Sequence, residues 1–248
     1  MRMQKIRQCL AGIAIGLAAG GVWAADVVVS VDEGNPPFMY AKDGKPEGVY
    51  PAVLREAFAR MGVALKLQAR PWKRAIAEID EGSAGVGGIY KNDERVKKYD
   101  YSAPILAEKM AVYMGSKKKF EFKTAADLRG MSVGVIRGWS YGDDFDALRK
   151  AGQVNVEETG SDAQNLQKLA AGRLDAVLVI AEAAAAIVKA QKLQGIEAAP
   201  TLLASNMAHL AFNKSASQAA LLEKFNKVLA EMQKSGALET ILVQELAK

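Results

Sequence analysis

Cysteine and histidine, the residue types most often used in metal and nucleophilic chemistry, occur only once each in this 248-residue chain. The cysteine is Cys9, and the histidine is His209, within the apolar stretch 207–212. A zinc site needs several such ligands, and a Ser-His-Asp triad would have to use His209. The sequence also has no Gly-rich phosphate-binding motif and no basic-aromatic RNA signature. We therefore expect no metal, no cofactor and no nucleic-acid partner, and we interpret His209 as a strand residue.

Acidic and basic side chains are the remaining candidates for chemistry. Asp32 follows the first apolar run of the mature chain, where its carboxylate can accept a hydrogen bond from a ligand amine. In a desolvated site Asp32 or Glu182 can act as a general acid or base, although no separate carboxylate pair stands out. Arg95, in the charged run 91–98, and Arg74 are each either an anion contact or a solvated surface arginine.

The N-terminus explains most of the basicity of the chain. Arg2, Lys5 and Arg7 account for three of the 33 basic residues, and without them the balance is 30 basic against 28 acidic residues. This basic start precedes an apolar run at 10–22 and small residues up to Ala24, which is the pattern of a secretory signal peptide. The alternative is an uncleaved anchor, but about 13 apolar residues are short for a membrane span. We expect cleavage after Ala24 and an exported, soluble mature protein without cysteine.

The elements that must position the candidate residues alternate between strands and helices. The composition predicts strands at 27–31, 65–68, 85–89, 132–136 and 176–179. Helical periodicity begins at Pro51, Lys73 and Ser215. Glycines end these helices. Such alternation is typical of βαβ units with mostly parallel sheets, which predicts an α/β fold.

One local pattern occurs twice, about 90 residues apart. The segments 77–86 and 169–177 each combine a helix end, a capping glycine and a buried strand. Two similar α/β lobes account for this repeat, but so does the general likeness of any two helix-to-strand connections.

Several short motifs follow one another in an order that resembles one family. The first-half motifs are Asn35-Pro36-Pro37-Phe38, Gly48, Gly82, Asn92-Asp93-Glu94-Arg95 and Tyr101-Ser102-Ala103-Pro104. The second-half motifs are Asp127-Leu128-Arg129-Gly130, Val133-Gly134-Val135, Gly138, Gly172-Arg173-Leu174-Asp175-Ala176-Val177 and Ser235-Gly236. Together they resemble the bacterial extracellular solute-binding proteins of family 3, periplasmic receptors of polar amino acid ABC importers, over residues 26–248.

This resemblance implies a two-lobed, type II periplasmic binding protein fold whose lobes are joined by two crossing segments. The crossings would lie near 104–109 and 204–209. Lobe 1 would then comprise 25–106 and 208–248, and lobe 2 would comprise 107–207. The resemblance further implies a monomer that closes on a small ligand and docks on an inner-membrane ABC permease.

The resemblance also implies which residues bind the ligand. Arg95 would hold a ligand carboxylate in a bidentate contact. Backbone N–H groups near Gly88 and Tyr90 and in Gly138-Trp139-Ser140 would assist it. Candidate aromatic walls are Phe38, Trp72 and Trp139, although each of them is equally compatible with the core, Phe38 most of all.

Three positions depart from the family pattern. Ile180 stands where an aspartate usually pairs with the α-ammonium of the ligand, and a buried ammonium without an anionic partner is costly. Glu182 or Asp32 can substitute for that aspartate. Asn92 replaces the expected threonine, and Tyr90 replaces a small hydroxyl residue.

We expect a non-catalytic receptor for a small carboxylate-bearing solute, an amino acid or a related organic acid. Two alternatives remain open on the same scaffold: an exported, dehydratase-like enzyme, and a soluble sensor subunit that docks on a membrane receptor.

Overall fold

The computed structural model describes residues 26–248, so the predicted signal peptide, its cleavage site and Cys9 lie outside the described residues. The strands in this range are β1 (Val27–Asp32), β2 (Gly34–Asn35), β3 (Met39–Lys42), β4 (Lys45–Glu47), β5 (Leu65–Arg70), β6 (Gly85–Tyr90), β7 (Tyr99–Tyr101), β8 (Leu106–Gly115), β9 (Ser132–Ile136), β10 (Asn155–Thr159), β11 (Ala176–Ile180), β12 (Ile196–Ala198) and β13 (Ala204–Asn213). The helices are α1 (Val49–Met61), α2 (Trp72–Asp80), α3 (Arg95–Lys98), α4 (Asp143–Lys150), α5 (Asp162–Ala170), α6 (Ala181–Gln191), α7 (Ala219–Lys234) and α8 (Ala237–Leu246).

The predicted α/β alternation is confirmed, and the predicted strands agree with β1, β5, β6, β9 and β11 to within two residues. The helix predicted to begin at Ser215 starts later, at Ala219. A short 3₁₀ turn occupies Lys214–Ala216, and Ser217 adopts a left-handed conformation with φ of 52° that interrupts the helix. Gly236 then separates α7 from α8, a helix that the sequence analysis did not predict.

Ten of the strands form a continuous, mixed sheet rather than two separate parallel ones, and β2, β3 and β4 form a small antiparallel sheet of their own. The order of the large sheet is β10-β9-β11-β8-β13-β6-β1-β5, with β12 paired to β8 and β7 paired to β13. The pairs β1/β5, β1/β6, β9/β10 and β9/β11 are parallel, as expected for βαβ units. The strands β8 and β13 pair antiparallel with each other, and this pairing joins the two halves of the sheet.

The fold has two lobes. The sheet order places β6, β1 and β5 on one side of the β8/β13 pair and β11, β9 and β10 on the other, and we refer to these halves, with the helices packed on them, as the first and second lobe. The core of the first lobe packs α1 against α7 and α8, where the Phe58 and Phe225 rings lie 6.1 Å apart. Burial of such apolar side chains holds each half together, and the paired crossing strands set how the halves face each other.

Candidate functional site

The candidate residues meet at the seam between the lobes, where several strands end. Asp32 ends β1 and Tyr90 ends β6 in the first lobe, while Trp139 follows β9 and Ile180 ends β11 in the second. In α/β sheets the carboxyl ends of the strands face a crevice in which ligands bind. Strand direction thus brings together side chains that are more than 100 residues apart in sequence.

Asp32 is buried between the lobes, with 1% of its surface exposed. Its carboxylate accepts a hydrogen bond of 2.9 Å from the indole Nε1 of Trp139 and one of 3.1 Å from the backbone N–H of Gly34. Burial nevertheless raises the pKa of Asp32 to about 6, because desolvation of the charged form outweighs these bonds. The predicted hydrogen-bonding role of Asp32 toward a ligand stays a prediction, but its position is inside the seam.

Arg95 begins the short helix α3 and is 9% exposed. Its Nη1 donates to the carbonyl of Tyr90 at 3.2 Å, and its Nη2 donates to the carbonyl of Gly138, across the seam, at 3.1 Å. Within residues 26–248 the guanidinium forms no ion pair with an acidic side chain, and burial lowers its pKa. The Asn92 side chain accepts the N–H of Arg95 at 2.8 Å, so the residue that replaces the expected threonine orients the turn.

The loop after β9 depends on Gly138, whose φ is +79°. Few residues other than glycine adopt this left-handed conformation without strain. It directs the carbonyl of Gly138 toward the first lobe, where the oxygen accepts hydrogen bonds of 3.1 Å from both Trp72 Nε1 and Arg95 Nη2.

Aromatic rings fill much of the seam. The ring centroids of Trp72 and Tyr90 lie 5.8 and 6.0 Å from that of Trp139, and the centroid of Tyr141 lies 6.2 Å away. Only a narrow gap, too small for a water molecule, remains between Trp72, Gly88, Tyr90, Arg95, Trp139 and Ser140. Six of the predicted site residues therefore line one tightly closed part of the seam.

Glu108 in β8 is a buried carboxyl that the sequence analysis missed. It is 2% exposed and accepts hydrogen bonds from the hydroxyls of Tyr50 and Tyr90. Burial raises its pKa to about 7. The available signal was a lone acid between the apolar residues Leu106 and Met110, in a segment already expected to cross between lobes.

Asp162, the first residue of α5, was also missed. It is 1% exposed, and neither carboxylate oxygen has a hydrogen-bond partner. Its pKa is raised well above the usual range by burial and further by the charges of Asp32 and Glu108. Gly34, whose N–H binds the Asp32 carboxylate, lies against Gly160 and Ser161, directly before Asp162. Because Asp162 opens a helix, its sequence context predicts only an ordinary surface residue of the first turn.

The other predicted site residues, Arg74, Phe38 and Glu182, do not line this part of the seam, although the charge of Glu182 contributes to the raised pKa of Glu108. The Arg74 side chain is 69% exposed and pairs with Glu78 at 3.3 Å, on the wall of an outer cleft of about 550 Å³ between the lobes. Glu182 is exposed in the first turn of α6. Phe38 is buried, with its ring 6.3 Å from that of Tyr50. His209 lies in β13, as expected, with Nδ1 2.8 Å from the carbonyl of Ser102.

Two motif acids have structural roles. Asp127 accepts the backbone N–H groups of Lys123 and Thr124, each at 2.8 Å, and Asp175 accepts that of Ser132 at 2.9 Å. Across residues 26–248, no cluster of three or more His, Cys, Asp or Glu side chains has the arrangement needed to hold a metal ion. The helices of this part of the chain are all too short or too polar to span a membrane.

Comparison with known proteins gives a consistent picture. The chain is 30% identical over 226 residues to the L-cystine-binding protein TcyJ of Escherichia coli strain K12, covering 87% of this chain and 80% of that protein. An ancestral arginine-binding protein bound to arginine has a TM-score of 0.75 and 26% identity, covering 88% of this chain and 97% of the other. A histidine kinase sensor domain with similarity to periplasmic binding proteins has a TM-score of 0.78 and 23% identity, covering 89% of this chain and 96% of the other.

The fold is thus the α/β, two-lobed type II fold that the motif order predicts, and these similar proteins are binding proteins or a sensor domain rather than enzymes. The sequence profile of the bacterial extracellular solute-binding proteins of family 3 matches residues 27–246. The chain belongs to the bacterial extracellular solute-binding proteins, family 3.

Proposed function

We propose that this protein is a periplasmic receptor that closes its two lobes over a small solute with a carboxylate group and delivers it to an inner-membrane ABC importer. The observation that carries the proposal is the buried guanidinium of Arg95, which has no acidic partner among residues 26–248. A buried cation without a counterion is costly, so a site that keeps one is suited to an anionic ligand. The relatives support an amino acid as the solute, since their names specify L-cystine and arginine.

The geometry around Arg95 supports the same conclusion. Its two hydrogen bonds to the carbonyls of Tyr90 and Gly138 use two of the five guanidinium donors, which leaves donors for a carboxylate. One of these carbonyls belongs to each lobe, so a ligand bound to Arg95 contacts the seam that closure forms. The Trp72, Tyr90 and Trp139 rings would shield the contact from water.

The crossing strands support a hinge at the boundaries predicted from the sequence. Leu106 pairs with Ala208, and Met110 pairs with Ala204, at the positions where β8 and β13 pass between the lobes. We propose lobe 1 as 25–106 with 208–248 and lobe 2 as 107–207, moving as two bodies about this pair of strands.

The first experiment is a thermal-shift screen of residues 25–248 against L-cystine, the protein L-amino acids and small organic acids. A ligand at 100 times its dissociation constant adds about 2.7 kcal/mol to the free energy of unfolding, which shifts the melting temperature measurably. For the best ligand, calorimetry should show that Arg95→Ala weakens binding by about 1.5–3 kcal/mol, the value of a charged hydrogen bond.

The matched control is Arg60→Ala, because Arg60 is exposed and pairs with Glu56 on α1, outside the seam. An unchanged dissociation constant for Arg95→Ala would overturn the assigned role. Recovery of the ligand unchanged after long incubation would support a receptor, whereas its conversion would support an enzyme on this scaffold.

A further inference from the structure

In the part of the chain that the structure describes, six of the nine buried side-chain polar atoms without a hydrogen bond belong to three residues, Asn35 of the first lobe and Asp162 and Asn165 of the second. Both carboxylate oxygens of Asp162 and both side-chain polar atoms of Asn35 and Asn165 are buried without a hydrogen bond. The strand that carries Asn35 meets the loop before Asp162, since a Cβ on Gly34 would lie 2.7 Å from the carbonyl oxygen of Gly160. Most buried polar groups in proteins are hydrogen-bonded, so a group of orphans from both lobes points to a ligand.

The helix position of Asp162 does not by itself account for its burial. A carboxylate in the first turn gains from the helix dipole. However, the capping role in α5 belongs to Ser161, whose hydroxyl accepts the N–H of Gln164 at 3.4 Å, and no backbone N–H reaches the oxygens of Asp162. Desolvation of an ionised carboxylate costs more than an exposed dipole interaction returns.

Asp162 belongs to a group of three buried carboxyls with Asp32 and Glu108. Their exposed fractions are 1%, 1% and 2%, respectively. None of the three forms an ion pair with a basic side chain in the part of the chain that the structure describes. Asp32 ends β1 in the first lobe, Glu108 lies in the crossing strand β8, and Asp162 begins α5 in the second lobe, so closure of the lobes brings them together. The three carboxyls are not arranged to hold a metal ion, so an organic cation is the favoured ligand.

We propose that Asp162 and Glu108, together with Asp32, bind the cationic group of the solute, an ammonium or a guanidinium, and so replace the aspartate that the family resemblance places at position 180. This inference rests on the proposed function, because Arg95 would hold the carboxylate of the same solute. With one buried cation against three acids, the site selects solutes with at least as many cationic groups as carboxylates. Amino acids with a basic side chain and diamino diacids have this composition.

Proton release on binding is a consequence that a merely structural carboxyl would not produce. Burial raises the pKa of Asp32 to about 6 and that of Glu108 to about 7, and the pKa of Asp162 is also raised. At pH 6.5 Glu108 and Asp162 are therefore mostly protonated and Asp32 is partly so, and the charge of Glu182 adds to the raised pKa of Glu108. Tyr50, Tyr90 and Tyr141 stay neutral, because burial raises the pKa of each. A bound cation favours the ionised acids, so protons leave as the cation enters.

The test compares each amino acid that binds residues 25–248 with its decarboxylated amine and its deaminated acid. Calorimetry in buffers of different ionisation enthalpy gives both the dissociation constant and the number of protons released. For the unmodified protein at pH 6.5, we expect the amino acid to bind about tenfold or more tightly than its deaminated acid, the value of a charged hydrogen bond. We also expect protons to be released with the amino acid and not with the deaminated acid.

In Asp162→Asn, the preference for the amino acid over its deaminated acid should fall below about threefold, because the loss of one charged contact outweighs the contacts that remain to the cation. The number of protons released on binding should also fall. Asp175→Asn is the matched control. Asp175 lies in the same lobe, directly before β11 and at the end of that strand away from Ile180, and its carboxylate accepts the N–H of Ser132. Melting curves check folding, and Glu108→Gln provides a second variant with the same expectation.

The outcomes separate the two proposals. A preference and a proton release that survive in both Asp162→Asn and Glu108→Gln would overturn the cationic site and leave the carboxylate receptor intact. Binding of deaminated acids alone would do the same. If no compound of the series binds, the proposed function falls, and the cationic site falls with it.

Discussion

The indole nitrogen of Trp139, in the second lobe, lies 2.9 Å from the carboxylate of Asp32, in the first. Both side chains are almost fully buried, so this contact is a hydrogen bond to a charged or chargeable group in a low-dielectric environment. It joins the lobes through groups that the sequence separates by 107 positions. The closed arrangement therefore depends on the protonation state of an acid as well as on apolar packing.

Trp139→Phe should weaken this arrangement in a pH-dependent manner. Phenylalanine retains much of the ring packing but donates no hydrogen bond, so the pKa of Asp32 should rise above its value of about 6. Near pH 7.5 the free energy of unfolding should fall by about 1–3 kcal/mol, and near pH 5, where Asp32 is protonated, by less. Urea unfolding at the two pH values measures the difference.

Trp72→Phe is the control for this prediction, because Trp72 donates across the same seam to a neutral carbonyl, that of Gly138. Its effect on stability should be the same at both pH values. A loss at Trp139 that is equally independent of pH would contradict the role of the Asp32 charge.

Glu108→Gln should stabilise the protein at high pH relative to the unmodified chain. The pKa of Glu108 is about 7 in the folded state and near 4.5 when unfolded. Between these values the folded state holds a proton that the unfolded state releases, so ionisation lowers the free energy of unfolding as pH rises. The stability difference between variant and unmodified protein should grow through this window, by on the order of 3 kcal/mol, and level off above it.

His209 has the opposite effect, because burial lowers its pKa and its protonation at low pH destabilises the fold. The contributions of His209 and Asp32 are the same in Glu108→Gln and in the unmodified protein, so they cancel in the stability difference between the two. A stability difference that stays constant from pH 4.5 to pH 8 would contradict the buried, neutral state of Glu108.

Gly34→Ala should oppose lobe closure. A Cβ at this position would lie 2.7 Å from the carbonyl oxygen of Gly160 in the other lobe, and such overpacking costs about 1–3 kcal/mol. We expect weaker binding of the best ligand and a larger radius of gyration by small-angle scattering in its presence. In the control Gly160→Ala, the nearest atom to the new Cβ is Gln164 Oε1 at 4.0 Å, so binding should change little. Equal effects of the two variants would rule out a clash at this contact.

Ile180→Asp should lower stability without a gain in affinity for amino acids. Ile180 is fully buried at the end of β11, where it pairs with Met110, so the change removes apolar packing and adds a buried carboxylate. The melting temperature should fall by about 2–4 °C for each kcal/mol lost. Ile180→Val retains the apolar character, so its melting temperature should fall far less. Tighter amino acid binding by Ile180→Asp would show instead that position 180 is the ammonium site.

The sequence alone predicts the α/β class, the strands β1, β5, β6, β9 and β11, and the family. These features depend on local periodicity, on turn glycines and on the order of short motifs, all of which are properties of neighbouring residues. The sequence likewise places Asp32 at a strand end, whereas for Arg95 it leaves open a solvated surface position, which the structure excludes. The start of α7 at Ala219 could not be located, because a serine that resembles a helix cap can equally form a 3₁₀ turn.

Only the tertiary structure decides which side chains share the seam. Arg74 and Glu182, both chosen from the sequence, project into solvent at its edge or beyond it, whereas Glu108 and Asp162 are enclosed. No local pattern distinguishes these acids, because burial depends on how β8 pairs with β13 and on what α5 faces across the seam. The sequence determines the helices and strands and the strand ends that carry polar residues. The packing of one lobe on the other determines which of the charged side chains are removed from water.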